Sequence, residues 1–213
     1  MLWLWASLNS LSRSSPKRPG RPRSPAGFRR AALDFEQLED RTVPSTFLVR
    51  DILPGGGASN PRQFAEVNGT LFFVANDDSY GQELRKSDGT SSGTVLVKDI
   101  RGGPDGSNPQ WLTNVNGTLF FSANDGSNDA SYGQELWKSD GTSTGTVLVK
   151  DIRTGSDGSF PRYLTNVNGT LFFVANDGST GRELWKSDGT PAGTVLVKDI
   201  LSYSYSFLGS YPN

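Results

Sequence analysis

The chain has 213 residues, of which 34% are hydrophobic and 20% charged, and it contains neither cysteine nor histidine. These absences exclude disulfides, thiol nucleophiles, thiolate metal sites and histidine acid–base chemistry. Seven of the 21 basic residues lie in residues 1–30, which hold no acidic residue, so residues 31–213 carry 14 basic and 22 acidic residues, a net charge of −8. We therefore expect no nucleic-acid partner.

Residues 1–46 differ in composition from the rest of the chain. An apolar head, Met1–Ala6, precedes a run from Ser10 to Arg30 that is rich in serine, proline and arginine. A secretory signal has its positive charges before a longer apolar core, and here that order is reversed. Pro-rich basic chains cannot bury enough surface to fold. We expect a disordered basic leader or a sorting segment, and no transmembrane span anywhere in the chain.

An eleven-residue segment, Phe35–Ser45 (FEQLEDRTVPS), resembles the LEPR-XLL-type motif found ahead of large exported bacterial surface proteins. It differs from that motif at Phe35 and Gln37, where the family has Leu and Pro. The resemblance implies that the protein is exported or displayed on a bacterial cell surface.

A repeated octapeptide, Glu-Leu-Trp-Lys-Ser-Asp-Gly-Thr, organises the remainder of the chain. It occurs at 135–142 and 183–190, and at 83–90 with Arg85 in place of Trp. The interval between successive Asp-Ile pairs is 48, 52 and 48 residues, and the four extra residues fall within Asn124–Gly133, which indicates a surface loop. The pairs begin at Asp51, Asp99, Asp151 and Asp199.

Each repeat predicts four short antiparallel strands. Asn-Gly pairs between the first two strands suit a two-residue type I′ turn, which explains the Asn-Gly-Thr tripeptides better than N-glycosylation does. The second strand, Thr70–Ala75 in the first repeat, is almost continuously apolar, so both faces of the sheet should be covered. The strands of the first repeat are predicted at Gln63–Val67, Thr70–Ala75, Gln82–Ser87 and Thr94–Ile100.

Four antiparallel strands per unit, with each sheet packed between its neighbours, describe the blade of a β-propeller, and a β-solenoid or sandwich is the alternative. We expect an all-β array in residues 47–213 that begins with a lone strand at Phe47–Ile52. Propellers have about four to eight blades, so three units are incomplete and the open ends should favour self-association. The units lie at about 53–100, 101–152 and 153–200, with 201–213 a truncated fourth.

Three motifs together resemble the ELWxxDGT repeat family of bacterial proteins over about residues 47–200: VNGTLFF, GxELWKSDGT and GTVLVKDI. The resemblance implies a propeller-like repeat in an exported protein, and it implies no general activity. We expect Trp137 and Trp185 to be buried between sheets. Arg85 departs from the motif, and we expect its charged head to stay in water.

Paired carboxylates are the only catalytic material in the repeats, since a glycosidase mechanism needs two of them. A catalytic pair normally occurs once in a site, whereas these recur in every unit, which favours structural roles in strands and turns. We therefore assign no catalytic residue. The candidate pairs are Glu83 with Asp88, Glu135 with Asp140, and Glu183 with Asp188.

Three loops rich in Asp and Asn contain the oxygen ligands that calcium prefers. The EF-hand spacing fails, because a loop that starts at Asp125 has Ala130 at the glycine position and Leu136 at the twelfth. Asp and Asn are also ordinary turn residues. We assign no metal site and no cofactor, with calcium as the alternative. The loops are Asn76–Ser79, Asn124–Asp129 and Asn176–Gly178.

Three equivalent positions, Gln63, Trp111 and Tyr163, differ between units while the neighbouring Leu-Phe-Phe strand does not vary. Variable positions on a constant scaffold suit a contact surface. We expect a non-catalytic, repeat-built interaction or structural module of a bacterial surface or secreted protein, with an unidentified protein or carbohydrate ligand. The alternative is an exported propeller hydrolase that cleaves polysaccharide through carboxylates.

Overall fold

A computed structural model describes residues 46–126 and 133–200. The expectations for the leader, for the centre of the longer loop and for the truncated fourth unit lie outside these residues. Within the described ranges the regular elements are twelve β-strands in three sheets. No helix in this part of the chain is long and apolar enough to cross a membrane.

Each sheet is formed by four strands that are consecutive in sequence, adjacent in space and antiparallel, which confirms the predicted all-β architecture. We call the three sheets units 1, 2 and 3. Unit 1 contains β1 (Arg62–Val67), β2 (Thr70–Asp77), β3 (Gly81–Ser87) and β4 (Val95–Leu96); unit 2 contains β5 (Gln110–Val115), β6 (Thr118–Asn124), β7 (Gln134–Ser139) and β8 (Val147–Lys150); unit 3 contains β9 (Arg162–Val167), β10 (Thr170–Asn176), β11 (Arg182–Ser187) and β12 (Val195–Lys198).

The first hairpin of each unit has the predicted turn. Asn68 and Gly69 have φ values of 51° and 79°, and the equivalent residues of units 2 and 3 have nearly the same values. Both central residues of a type I′ turn need positive φ, which Asn and Gly tolerate. The Asn-Gly-Thr tripeptides are therefore accounted for by turn geometry.

The closing strands are shorter than predicted. β4 covers only Val95–Leu96, whereas the sequence predicted Thr94–Ile100. Asp99 and Ile100 leave the sheet because the chain crosses there to the next unit, and the backbone N–H of Arg101 bonds to Glu83 instead of to a strand. In unit 1, the apolar sequence therefore continues past the end of β4.

Units pack face to face through two different faces of each sheet. The face towards the following unit, called the trailing face, contributes Val67, Phe72, Leu84, Val97 and Ile100 in unit 1. The face towards the preceding unit, called the leading face, contributes Leu119, Phe121, Ala123 and Trp137 in unit 2. The equivalent residues of units 2 and 3 form the second interface, so one packing arrangement is used twice.

The first strands of the three units lie side by side, β1 next to β5 and β5 next to β9. Asn114 Nδ2 donates to the carbonyl of Glu66 at 2.9 Å, and Asn166 Nδ2 donates to the carbonyl of Asn114 at 2.9 Å. The described part of the chain is therefore an open, propeller-like array with its first strands along one edge.

The predicted lone strand at Phe47–Ile52 is wrong, because this segment is not a strand. None of the described strands pairs with it to supply a ladder of hydrogen bonds. Instead Arg50 Nη1 donates to the carbonyl oxygens of Ser91 (3.2 Å) and Thr94 (2.7 Å) in unit 1. The segment is held against unit 1 by side-chain contacts.

The expectation that the head of Arg85 stays in water is also wrong. Its side chain is only 7% exposed, and its guanidinium forms an ion pair with Asp77. Burial lowers the pKa of Arg85, while Asp77 acts in the opposite direction. A paired charge can be buried where an unpaired one cannot, so Asp77 explains why the position tolerates Arg.

Candidate functional site

The glutamate of the octapeptide is buried and connects successive units. Glu135 accepts hydrogen bonds from the backbone N–H groups of Ile152 (3.2 Å) and Ser159 (2.6 Å), and also from the Ser159 hydroxyl. Arg153 N–H donates at 3.4 Å. These donors belong to the segment that leads from unit 2 to unit 3, so the carboxylate fixes that crossing.

Glu83 has the same role between units 1 and 2, where Ser107 is its partner. Burial raises the pKa of Glu83, and it raises the pKa of Glu135 to about 7, although the hydrogen bonds oppose this in both cases. Glu183 accepts from Ile200 N–H at 3.3 Å. In all three units the glutamate accepts hydrogen bonds from the crossing segment, and in units 1 and 2 its burial favours the protonated form.

The Ser-Asp-Gly-Thr part of the octapeptide closes the third hairpin. In unit 2, Asp140 Oδ1 accepts from the N–H of Thr142 at 2.8 Å and from its hydroxyl at 2.7 Å. The hydroxyls of Ser139 and Thr146 lie 2.7 Å apart. A Cβ on Gly145 would lie 2.1 Å from Asp140 Oδ1, so only glycine fits at position 145 while Asp140 holds this turn.

The remaining residues of the octapeptide form the contact with the next unit. In unit 2, Leu136 is buried on the trailing face, and Trp137 is buried on the leading face, as predicted. Lys138 Nζ donates to the carbonyl of Gly189 at 2.8 Å. Lys150 Nζ lies 6.0 Å from the ring centroid of Trp185, whose burial was also predicted. All eight side chains or glycine positions thus have a role in the repeat itself.

The candidate catalytic pairs are not arranged as pairs. Glu83 is buried in the crossing, whereas Asp88 lies exposed in the turn after β3. The strand between Glu83 and Ser87 alone spans about 13 Å. The two carboxyl groups of glycosidases lie about 5–10 Å apart. Each unit repeats this separation, so the geometry does not bring the predicted carboxylates together.

In the Asp- and Asn-rich loops, side-chain oxygens accept hydrogen bonds from backbone N–H groups of the same loop. Asp77 Oδ1 accepts from the N–H groups of Ser79 and Tyr80, and Asp177 Oδ1 accepts from those of Ser179 and Thr180. Asn124 Oδ1 accepts from Gly126 N–H. Residues 127–129 of the second loop lie outside the described chain. In the part that is described, no group of three acidic side chains forms a cation cluster.

The variable positions have an unusual backbone. Gln63, Trp111 and Tyr163 have φ values of 57°, 60° and 58°, although none of them is glycine. Each of the three residues stands within a β-bulge of the first strand, where the register shifts against the second strand. Left-handed backbone at bulky residues is strained and is concentrated at functional sites.

The bulges bring the three side chains into one row along the edge formed by the first strands. The rings of Trp111 and Tyr163 have centroids 4.9 Å apart and are tilted by 59°. Gln63 Oε1 accepts from Trp111 N–H at 3.3 Å. Trp111 is half-buried against the core, while Tyr163 is 63% exposed. The row, which we call the bulge row, presents an aromatic surface beside an amide.

No family model matches this chain, and no curated protein or solved structure matches it significantly.

Sequence reasoning identified the bulge-row positions from their variation but not the bulges, since no glycine marks the positive φ. It also missed the link between the glutamate and the serine. A signal was present, because Glu83 and Ser107 are 24 residues apart and Glu135 and Ser159 repeat that spacing.

Proposed function

We propose that the array is a non-catalytic, repeat-built interaction module of a bacterial surface or secreted protein, and that the bulge row is its contact site. The ligand class that fits the row best is a carbohydrate. An aromatic pair offers flat π faces to the apolar faces of sugar rings, and the Gln63 amide can bond a hydroxyl.

One observation supports this proposal above the others: three equivalent positions have different side chains in the same strained conformation. Strain of this kind costs about 1–3 kcal/mol per residue and persists only where the surroundings enforce it. The repeat therefore retains a costly geometry while it varies the side chain. This combination is typical of sites that display residues to a partner.

The alternative of a polysaccharide hydrolase has less support. Its carboxylates are engaged with backbone N–H groups and hydroxyls, and they lie far apart within each unit. The module would accordingly bind its ligand without turnover. The acidic body favours neutral or basic partners, so we do not include nucleic acid among them. We also propose that the array associates with itself.

The proposal is tested by titrating the full chain with soluble β-1,4-linked glucose and N-acetylglucosamine oligomers in a calorimeter. Trp111→Ala and Tyr163→Ala should each weaken binding about tenfold or more, because each removes one stacking face. Tyr80→Ala is the matched control, since it removes an exposed aromatic from the hairpin between β2 and β3. It should leave binding unchanged.

Binding that survives in the Trp111→Ala, Tyr163→Ala double variant would refute the bulge row as the site. If the calorimetric titration saturates with none of the saccharides but saturates with a protein partner, the ligand is a protein and not a carbohydrate. Release of reducing ends that disappears in Glu135→Gln would establish the hydrolase instead.

A further inference from the structure

The trailing face of unit 3 has the same residues as the trailing faces of units 1 and 2, but no described part of the chain covers it. Leu184 is 39% exposed, whereas Leu84 and Leu136 are fully buried. Ile200 is 68% exposed, whereas Ile100 and Ile152 are each 8% exposed. Val167 and Val197 show the same contrast with their equivalents. A contiguous apolar face of this kind marks an interaction site.

The leading face of unit 1 is the complementary surface, and it is covered only in part. Leu71 is 40% exposed, while the equivalent Leu119 and Leu171 are fully buried. Residues 47–52 lie against this face and leave an apolar groove of about 450 Å³ next to Phe64, Leu71 and Phe73. In units 2 and 3, the trailing face of the preceding unit covers the corresponding residues.

Within the segment 47–52, Arg50 is equivalent to Lys98 and Lys150 in the repeat. Those two lysines donate to the carbonyls of Thr146 and Thr194 in the next unit, each at 2.8 Å. Arg50 donates to the carbonyl of Thr94, the equivalent acceptor in unit 1. Arg50 thus makes the contact that the closing segment of a preceding unit makes elsewhere in the array. We call residues 47–52 the cap.

We propose that the trailing face of unit 3 docks onto the leading face of unit 1 in a second copy of this chain, and that docking displaces the cap of that copy. The internal interfaces supply the template. Leu71, Phe73 and Ala75 on the second copy repeat the leading-face residues Leu119, Phe121 and Ala123. On the first copy, the residues that repeat trailing-face positions are Val167, Phe172, Leu184, Val197 and Ile200.

The polar contacts of the template can also form between copies. Lys86 and Lys138 each donate to a glycine carbonyl in the next unit at 2.8 Å, and Lys186 would do so to Gly89 of the second copy. Lys198 would take the Thr94 carbonyl that Arg50 occupies, which is why the cap must leave. Arg85 replaces the leading-face tryptophan, so the contact between copies is weaker than the internal ones.

A contact between two different faces is heterologous, so it continues from copy to copy until a ring closes or a filament grows. The experiment uses the full chain and sedimentation velocity across the micromolar range. We expect association that rises with concentration. Leu184→Asp should abolish it by placing a charge in the apolar contact, while Tyr80→Asp, which alters neither face, should not. Far-UV circular dichroism and melting curves establish that both variants fold.

The geometry is tested by cross-linking, which the absence of native cysteine makes specific. In the template, Asn68 Nδ2 lies 3.4 Å from the carbonyl of Gly117. Asn168 should accordingly lie next to the turn of Asn68 in the second copy. A mixture of Asn168→Cys and Asn68→Cys chains, treated with a short bis-maleimide, should give a cross-linked dimer in higher yield than either variant alone.

Displacement of the cap is tested with Arg50→Ala. Loss of a charged hydrogen bond that holds the cap should strengthen association about tenfold. Unchanged or weaker association would show that the cap is not displaced and would overturn that step. Equal cross-linking by Asn168→Cys alone would overturn the head-to-tail contact in favour of two paired unit 3 faces. A monomer at every concentration would overturn the proposal.

Discussion

Units 2 and 3 contain the same octapeptide and the same four-stranded sheet, yet they differ in what surrounds them. Both faces of unit 2 are buried, by unit 1 on one side and by unit 3 on the other. In unit 3, burial alternates along the strands, because the leading face is covered and the trailing face is not. Local structure is therefore a property of the repeat, whereas burial is a property of its place in the array.

The largest expected effect of this difference appears in a matched pair of leucines. Leu136→Ala should destabilise the chain by about 2–5 kcal/mol, because it creates a cavity in the core between units 2 and 3. Leu184→Ala should cost less than about 1 kcal/mol, because the equivalent side chain is partly exposed. Urea unfolding at low protein concentration measures both. Equal costs would show that unit 3 is covered as unit 2 is.

Stability should fall as pH rises, because of the buried glutamate in unit 2. The pKa of Glu135 is raised from 4.5 to about 7, chiefly by burial, so the folded state holds the proton more tightly than the unfolded chain. The stability that this proton contributes is complete below pH 4.5 and is lost as pH rises through 7. The difference between the two values corresponds to about 3 kcal/mol.

Glu135→Gln should flatten this pH dependence when urea unfolding is followed from pH 5 to pH 8. Glu183→Gln is the matched substitution in unit 3, where the equivalent carboxylate accepts a hydrogen bond from Ile200 N–H. The turn aspartates have pKa values lowered by their hydrogen bonds to threonine, so what they contribute to the stability of the fold is lost only at more acidic pH. They are Asp88, Asp140 and Asp188. An unaltered slope in Glu135→Gln would assign the pH dependence to another group.

The turn of unit 2 should show strong coupling between two positions. Gly145→Ala should cost about 1–2 kcal/mol, because the new methyl group displaces Asp140 and breaks its bonds to Thr142. In an Asp140→Ala background the same substitution should cost little. A double-mutant cycle from thermal or urea unfolding measures the coupling. Additive costs would mean that Asp140 does not occupy the space above Gly145.

The smallest expected effect is the difference in stability lost between two lysine substitutions. Lys138→Met should cost about 1 kcal/mol, because it removes the bond to the carbonyl of Gly189. Lys186→Met should be nearly neutral, since this lysine is exposed on the trailing face of unit 3. Both values come from urea unfolding. A clear loss in Lys186→Met under dilute conditions would indicate that its acceptor lies within the same chain.

The sequence predicted the features that depend on neighbouring residues. Four strands per unit follow from apolar runs and turn signals, and the Asn68-Gly69 turn follows from backbone preference. The burial of Trp137 and Trp185 followed from their recurrence in one strand. These predictions succeed because each unit repeats the same local pattern.

The failures concern contacts between distant residues. Nothing next to Arg85 indicates that Asp77, eight residues earlier, neutralises it across the hairpin. Phe47–Ile52 has the alternation of a strand, but a strand also needs hydrogen-bonded neighbours, and no described strand pairs with this segment. The positive φ at Gln63, Trp111 and Tyr163 is imposed by the sheet around them, so only the structure shows the bulge row.

The repetition of one interface has a consequence for how such an array can change in length. The apolar core between units 1 and 2 joins the same repeat positions as the core between units 2 and 3, and the glutamate that fixes the crossing is also repeated. A duplication or deletion of one whole unit, wherever its boundary falls within the repeat, recreates an interface that already exists. The number of units can therefore vary by recombination without any new packing solution.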